Sequence, residues 1–464
     1  MRRVGQARWP RRAGLARLAL GLALSGCSGL PVADEEAAQA KQQRVERAYR
    51  PEGRRAAPAA LGAEPALADL LRFAMLNQPR VEAAYYEWAA SVQRITLERS
   101  LPDPRLGFEA GVADLVMALK PGLMLEIPGP GKLGAAARVA SAESEARYFA
   151  FESSVLQVAY SLKRAYYQLH FLDANLAIHR ETLALVGDLE QLARVRNAVG
   201  AVTLQDVLRA QIEEERLAIE IANLEDSREP LLAQLRAALG LEPDSALPPL
   251  PADFEATPVD FTPEQLFATA LESNPRLAAM EADVRRADAA LQLAYKLRLP
   301  DFGVGLAADA KASPVVLMPQ LSLTLPIWRD KIAAGIAEAR AGQRAALARL
   351  SAEQIQLAVD FAESFYAYRE STRNLALLRE RLLPKAEQSL GLARAGYAGD
   401  RAGFLDLIEA ERTLLDFRLG EVEALTQREL ALAGLSLLIA GAAPAGAPLE
   451  APPERAPRAE ASRR

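Results

Sequence analysis

Apolar positions in this chain follow two periods, and the order in which those periods appear occurs twice. No proline falls between Lys132 and Asn197. Within that stretch Val155, Val158, Leu162, Ala165, Leu169, Leu172 and Leu176 step by three and four residues, and His179, Leu183 and Val186 continue the series. This is a heptad seam. At ~1.5 Å per residue it predicts a helix on the order of 100 Å long, far beyond the ~11-residue mean of globular helices. Val199-Gly200-Ala201 predicts a turn, and helical periodicity resumes from about Thr203 to Leu239, with a kink expected at Pro230. Ahead of the long helix, Arg105–Val112 and Gly122–Pro128 have strand character. Their later counterparts, Phe302–Ala308 and Val315–Ile327, are clearer, because Leu321, Leu323 and Leu325 alternate with Ser322 and Thr324.

The whole order returns. Helices are predicted from about Ala66 to Leu97 and from about Pro263, just after Thr262, to Leu297. Each is interrupted in its first half, by Gln78-Pro79 and by Asn274-Pro275. Leu101-Pro102-Asp103 recurs as Leu299-Pro300-Asp301, Pro128 as Pro326, Tyr166-Tyr167 as Phe365-Tyr366, and Asp206-Val207-Leu208 as Asp406-Leu407-Ile408. The second long helical stretch runs from about Lys331 to Ala395 with Pro384 inside, turns at Gly399-Asp400-Arg401, and continues from Gly403 to Ile439. A repeat this large is no solenoid unit. The expected organisation is a first repeat over 66–240, a linker over 241–261 and a second repeat over 262–441.

The ends read differently. Residues 1–26 have six arginines before the short apolar run Leu18–Leu24, the pattern of a secretory leader too short to span a membrane. Leu24-Ser25-Gly26-Cys27 resembles a bacterial lipobox, which makes Cys27 the expected lipidation site, and Ser28 the kind of following residue that goes with sorting to the outer membrane. Two or three acyl chains would anchor stably. Residues 27–65 are expected to be an extended, mostly irregular lipidated arm, and 442–464, rich in Ala, Pro, Arg and Glu, a disordered tail.

Composition removes several classes. A net charge of −5 with no basic stripe beyond the leader argues against a nucleic-acid partner. Cys27 is the single cysteine and His170 and His179 are the only histidines, so a zinc site of His and Cys ligands is not expected. No run beyond the leader reaches the ~20 apolar residues of a spanning helix. No nucleophile–base pair and no glycine-rich phosphate loop is evident, so neither an enzyme nor a cofactor is expected.

The duplicated Leu-Pro-Asp ends, the strand-to-helix junctions Pro128-Gly129-Pro130-Gly131-Lys132-Leu133 and Pro326-Ile327-Trp328, and the Asp206-Val207-Leu208 hairpin tip together resemble the TolC family of outer membrane efflux proteins, over about residues 66–440. Ile127–Leu133 and Leu325–Arg329 look most like its heavy-metal branch, the CusC and CzcC type. The resemblance implies a mainly α fold with a small β part. Duplicated helical hairpins would form a tunnel, and four strands per chain would join a twelve-stranded barrel built by a homotrimer in outer membrane lipid. It further implies a periplasmic adaptor and an inner-membrane transporter of the resistance-nodulation-division type as partners. An open sheet cannot stand in lipid, so four strands require further copies.

In this family the periplasmic end of the tunnel is closed at the second hairpin. The resemblance carries that gate onto Tyr397, Asp400, Arg401, Asp406 and Glu409, with Asp206 and Arg209 at the tip of the first repeat. Asp406 and Glu409, at i and i+3, share a helix face, and acidic rings favour cations. The plainer reading of the same acids is a solvated face that suits a helix N-terminus. His179 at a seam position is expected to be a packed, hydrogen-bonded histidine. Trp88 and Trp328 are expected at the barrel edge or in the core, and the two aromatic pairs in the tunnel wall. Three functions stay open: an efflux channel passing substrate such as heavy-metal cations, a non-conducting lipoprotein scaffold, or a type I secretion duct. A coiled-coil adaptor lacks its expected β-rich segments here.

Overall fold

The computed structural model describes residues 33–49, 65–113, 116–247, 250, 254, 256–257, 262–309, 314–399 and 401–440. The leader, Cys27, the ends of the arm, Asp400 and the tail lie outside them. The N-terminal helix α1 (Ala33–Tyr49) precedes α2 (Leu67–Asn77) and α3 (Pro79–Arg99). Strands β1 (Arg105–Ala113) and β2 (Val116–Ile127) lead into α4 (Lys132–Ala198), α5 (Leu204–Asp226) and α6 (Arg228–Leu239). The second copy repeats the series: α7 (Pro263–Ser273), α8 (Pro275–Lys296), β3 (Asp301–Asp309), β4 (Val316–Thr324), α9 (Arg329–Leu377), a π-helical segment Leu378–Leu382, α10 (Leu383–Ala398) and α11 (Phe404–Leu438). The fold class is the one the resemblance implies, a mainly helical, internally duplicated chain with four strands.

The chain divides into two compact units that cut across the repeats, because each takes segments from both copies. One unit holds the sheet, in the order β1-β2-β3-β4 and antiparallel throughout. Its end is fixed by a staple. The Asp301 carboxylate accepts from the Gly129 N–H at 2.6 Å and from Lys132 Nζ at 2.7 Å. A Cβ on Gly129 would lie 2.4 Å from the Pro300 carbonyl oxygen, so this junction requires glycine. Trp88 is buried in the same unit, edge-on to Tyr148 at 5.0 Å, which makes it a core residue; Trp328 is exposed.

Three expectations need correction. The arm is not irregular throughout, because Ala33–Tyr49 is a helix. Asp34, Glu35 and Glu36 occupy its positive N-terminal end. Buried Glu35 pairs with Arg99 and accepts from Thr96 Oγ1 at 2.5 Å, while Lys41 Nζ sits 3.1 Å above the Tyr148 ring. Docking, not periodicity, holds this helix. Second, the first strand pair is longer than its apolar pattern, reaching 9 and 12 residues, because pairing continues to Ala113↔Val116. Third, the helix after the first turn breaks at Ser227, so that Pro230 falls in the first turn of α6, where a missing N–H costs nothing. In the second copy Pro384 follows the π-helical Leu378–Leu382, where the ladder adjusts to the missing donor.

The other unit contains the hairpins and a second duplicated device. The residue before each interrupting proline caps the last helix of its own repeat: Gln78 Nε2 donates to the Ala237 carbonyl at 2.6 Å, and Asn274 Nδ2 to the Leu438 carbonyl at 3.0 Å. Orphan C-terminal carbonyls are thereby satisfied by a side chain. Gly240 ends α6 at φ +73, with Asn77 O and Gln78 Cα each 2.8 Å from where a Cβ would stand. Gly240→Ala is expected to cost about 1–2 kcal/mol from the left-handed backbone alone, and more from displacing the Asn77-Gln78 segment. Gly200→Ala is the control, having φ +76 with nothing within 4 Å. Equal losses of thermal stability in the two variants would rule out the close packing as a source of stability.

Candidate functional site at the hairpin tips

Both tips are built alike. At the first, α4 ends at Ala198 and Asn197 Nδ2 donates to the Val202 carbonyl at 2.9 Å. Thr203 precedes α5, and its hydroxyl donates to Asp206 Oδ2 at 3.3 Å. Asp206 also lies 3.6 Å from Arg209 one turn on. At the second tip the Arg401 N–H donates to the Gly396 carbonyl at 2.8 Å, and the Gly403 N–H donates to Asp406 Oδ2 at 2.9 Å. Asp206 and Asp406 thus perform one task twice: a carboxylate in the first turn, where the helix dipole favours it.

An apolar cluster binds the hairpins into one body. Leu189 and Ala193 of α4, Val207 and Ala210 of α5, Leu390 and Tyr397 of α10, and Phe404, Leu407 and Ile408 of α11 all belong to it. Tyr397 is therefore inside, not on the tip surface. Its ring meets Phe404 edge-on at 5.6 Å, and the Arg196 guanidinium lies 4.6 Å over its face. Arg196 Nη1 also donates to the Tyr397 carbonyl. The phenol oxygen is buried with no hydrogen-bond partner. Burial raises its pKa, the Arg196 charge lowers it, and Asp206 raises it.

Ion pairs then cross between the hairpins. Arg412 of α11 reaches Glu213 of α5 with two contacts, Nη2–Oε2 at 2.5 Å and Nε–Oε1 at 3.3 Å, and Glu213 is buried while Arg412 is half exposed. Arg418 of α11 donates to Glu181 of α4 at 2.9 Å. Within the first hairpin Glu190 accepts from Arg194 and from Gln211 at 2.9 Å, and these hydrogen bonds lower its pKa. Asp406 and Glu409 are both exposed on one face of α11, as their spacing predicts, and the Glu409 charge contributes to the raised pKa of Arg412, whose first cause is its bond to Glu213. Arg401 is exposed on the turn; Asp400 lies outside the described residues. His179 is buried, with Nδ1 2.8 Å from the Asn175 carbonyl and Nε2 3.4 Å from Glu220.

Sequence reasoning missed Arg196, Glu213 and Arg412. Nothing in the sequence pairs the last two: Glu213 stands opposite Thr413 and Arg412 opposite Ile212 in the two copies, and the side chains meet only because the hairpins pack together.

Two long helical hairpins joined to a duplicated strand pair define the architectural class, an internally repeated hairpin protein with one shared sheet. The family model described as "Outer membrane efflux protein" matches residues 70–241 and 266–441, more than half of the chain, and the chain belongs to that family. The cobalt-zinc-cadmium resistance protein CzcC of Cupriavidus metallidurans is 26% identical over 243 residues, which are 51% of this chain and 56% of that protein. The chain therefore spans about half the length of the curated relative it matches. Among solved structures, CusC aligns with a TM-score of 0.72 at 16% identity, over 84% of this chain and 95% of that one. VceC of Vibrio cholerae aligns with a TM-score of 0.70 at 19% identity, over 81% and 96%. At those identities the likeness is one of fold.

Glu411 gives a pH test of the tip. It is buried on α11, its Oε2 lacks a hydrogen bond, and Arg394 stands 3.8 Å away. Burial raises its pKa, Arg394 and Arg418 oppose the rise, and Glu181 adds to it. A carboxyl whose folded pKa exceeds its unfolded value subtracts stability when ionised. That deficit is largest at neutral pH, shrinks as pH falls through the raised pKa, and is gone below the ordinary carboxylate range. Glu411→Gln should therefore raise the thermal midpoint at neutral pH, with the gain fading on acidification. A gain independent of pH would rule out ionisation as its cause.

Proposed function

We propose that this chain is the outer membrane duct of a tripartite efflux assembly, with three copies closing a barrel and the hairpin tips closing its periplasmic end. The observation that carries the reading is the sheet. β1 and β4 have no partner on their outer sides among the described residues, and Leu106, Phe108, Leu123, Val304, Leu306, Leu321 and Leu323 are exposed on the strands. Strand lengths of 9, 12, 9 and 9 residues suit the ~9–11 residues of a tilted spanning strand. No described helix is long and apolar enough to cross a membrane.

In this reading the helical part lies in the periplasm, Cys27 carries the lipid anchor, and a periplasmic adaptor and a resistance-nodulation-division transporter deliver the substrate. Heavy-metal cations are the proposed cargo, supported by the similarity to the cobalt-zinc-cadmium resistance protein. The chemistry is electrostatic passage, with no covalent step. Threefold repetition turns Asp406 and Glu409 into acidic rings, which favour cations at the mouth. Arg412–Glu213 and Arg196–Tyr397 hold the hairpins in the resting arrangement.

Planar-bilayer recording tests this. The trimer should conduct with cation preference, and Asp406→Asn with Glu409→Gln should weaken that preference. Arg412→Ala leaves the buried Glu213 carboxylate without its cation, a loss of about 1–3 kcal/mol, and should raise resting conductance. A trimer that inserts and never conducts, in either form, would be a scaffold. For the anchor, labelled palmitate should appear on the parent chain and not on Cys27→Ala; equal labelling would refute the lipid site.

A further inference from the structure

The two halves of the sheet obey one register. β1 and β2 pair Arg105 with Met124 and Gly107 with Gly122, while β3 and β4 pair Gly303 with Ser322 and Gly305 with Gln320. The second set is the first moved along the chain by the same step that carries Leu101-Pro102-Asp103 onto Leu299-Pro300-Asp301 and Pro128 onto Pro326. Duplication has therefore preserved hydrogen-bond register as well as sequence.

The β2–β3 boundary is where the first copy meets the second. Its register, Leu123↔Leu306, Leu125↔Val304 and Ile127↔Phe302, ends on the Asp301 staple to Gly129 and Lys132. The equivalent boundary, β4 against β1, is not formed among the described residues. Moving the β2–β3 register by the same step places Leu321 opposite Phe108 and Leu323 opposite Leu106 of a second copy. These four side chains are 82%, 61%, 50% and 63% exposed in the single chain, in the order named, so apolar surface waits on both edges. The same step brings Asp103 of the second copy to the junction after β4, as Asp301 is brought to the junction after β2.

That junction has the complementary charge. Lys331-Ile332 follows Pro326 as Lys132-Leu133 follows Pro128, one position later. Asp103 and Lys331 are both exposed, and Lys331 helps line a surface concavity with Ile327, Trp328, Arg329 and Asp330. The backbone part of the staple does not carry over, because the Ile327 N–H already donates to the Leu325 carbonyl at 2.9 Å. The ion pair does.

We propose that Asp103 of one copy of this chain pairs with Lys331 of the next, closing the sheet between copies in the register that β2 and β3 set within the chain. The inference rests on the oligomeric channel reading above. Two readouts on the full-length protein in detergent test it, with light scattering reporting the number of copies in each case. Phe108→Cys combined with Leu321→Cys should give oxidant-dependent covalent dimers and trimers. Phe108→Cys with Ser322→Cys, one residue out of register and on the opposite face, should not; single-cysteine variants account for Cys27. Asp103→Lys and Lys331→Asp should each lower the temperature at which the assembly dissociates, and the two together should restore most of the loss. A monomeric parent chain removes the channel reading and the inference together. An intact trimer that crosslinks only through Ser322, that shows no rescue in the exchanged pair, or whose Asp103→Lys defect is rescued by Arg329→Asp instead, overturns the inference and leaves the channel reading standing.

Discussion

Everything in the strand-bearing unit answers to the need of a backbone donor or acceptor for a partner. A β-strand at a sheet edge leaves a row of N–H and C=O groups open, which water can satisfy and lipid cannot. β1 and β4 are such edges, and the strands carry exposed leucines and a phenylalanine between them. That combination favours aggregation in a soluble protein. It becomes a stable end state only if the edges meet, and four twisted strands are too few to meet within one chain. In the proposed assembly it is therefore the sheet that calls for further copies.

Duplication supplies a second constraint, because a device invented once is used twice. The amide before each proline caps its own repeat's last helix, through Gln78 in one copy and Asn274 in the other. The first-turn carboxylates Asp206 and Asp406 repeat in the same way. Where the copies diverge, the divergence has a physical reason. Gly129 passes under the Pro300 carbonyl with no room for a Cβ, whereas its counterpart Ile327 is 64% exposed in the single chain. The first junction is crowded by its own chain, and the second is exposed.

How legible was this in the sequence? The long helices were, because a heptad seam is a strong signal and a prolineless stretch leaves no competing interpretation. The π-helical segment before Pro384 was half legible: proline marks the place, but whether a helix kinks, breaks or widens depends on packing around it. α1 was illegible, since its stability comes from Glu35 docking on Arg99 and Thr96 and not from any apolar stripe. At the tips, Asp406 and Glu409 could be read because their spacing places them on one exposed face. Glu213 and Arg412 could not, because their pairing depends on which helices become neighbours across two hairpins. Tyr397 was read as part of the tip, and its ring lies in the cluster that joins them.

That cluster limits what the charged residues around it can do. Asp406 has one observed duty and one proposed for it, and the two differ in what they require. Closing the first turn requires an oxygen to accept from the Gly403 N–H, which a neutral amide also provides. The cation preference proposed for it requires the charge itself. Glu409, one turn on, has no capping duty, and the nearby Arg412 is already engaged with Glu213. The arginine's charge is thus spent largely on an acid of the other hairpin, while Asp406 and Glu409 stay on the exposed face of α11.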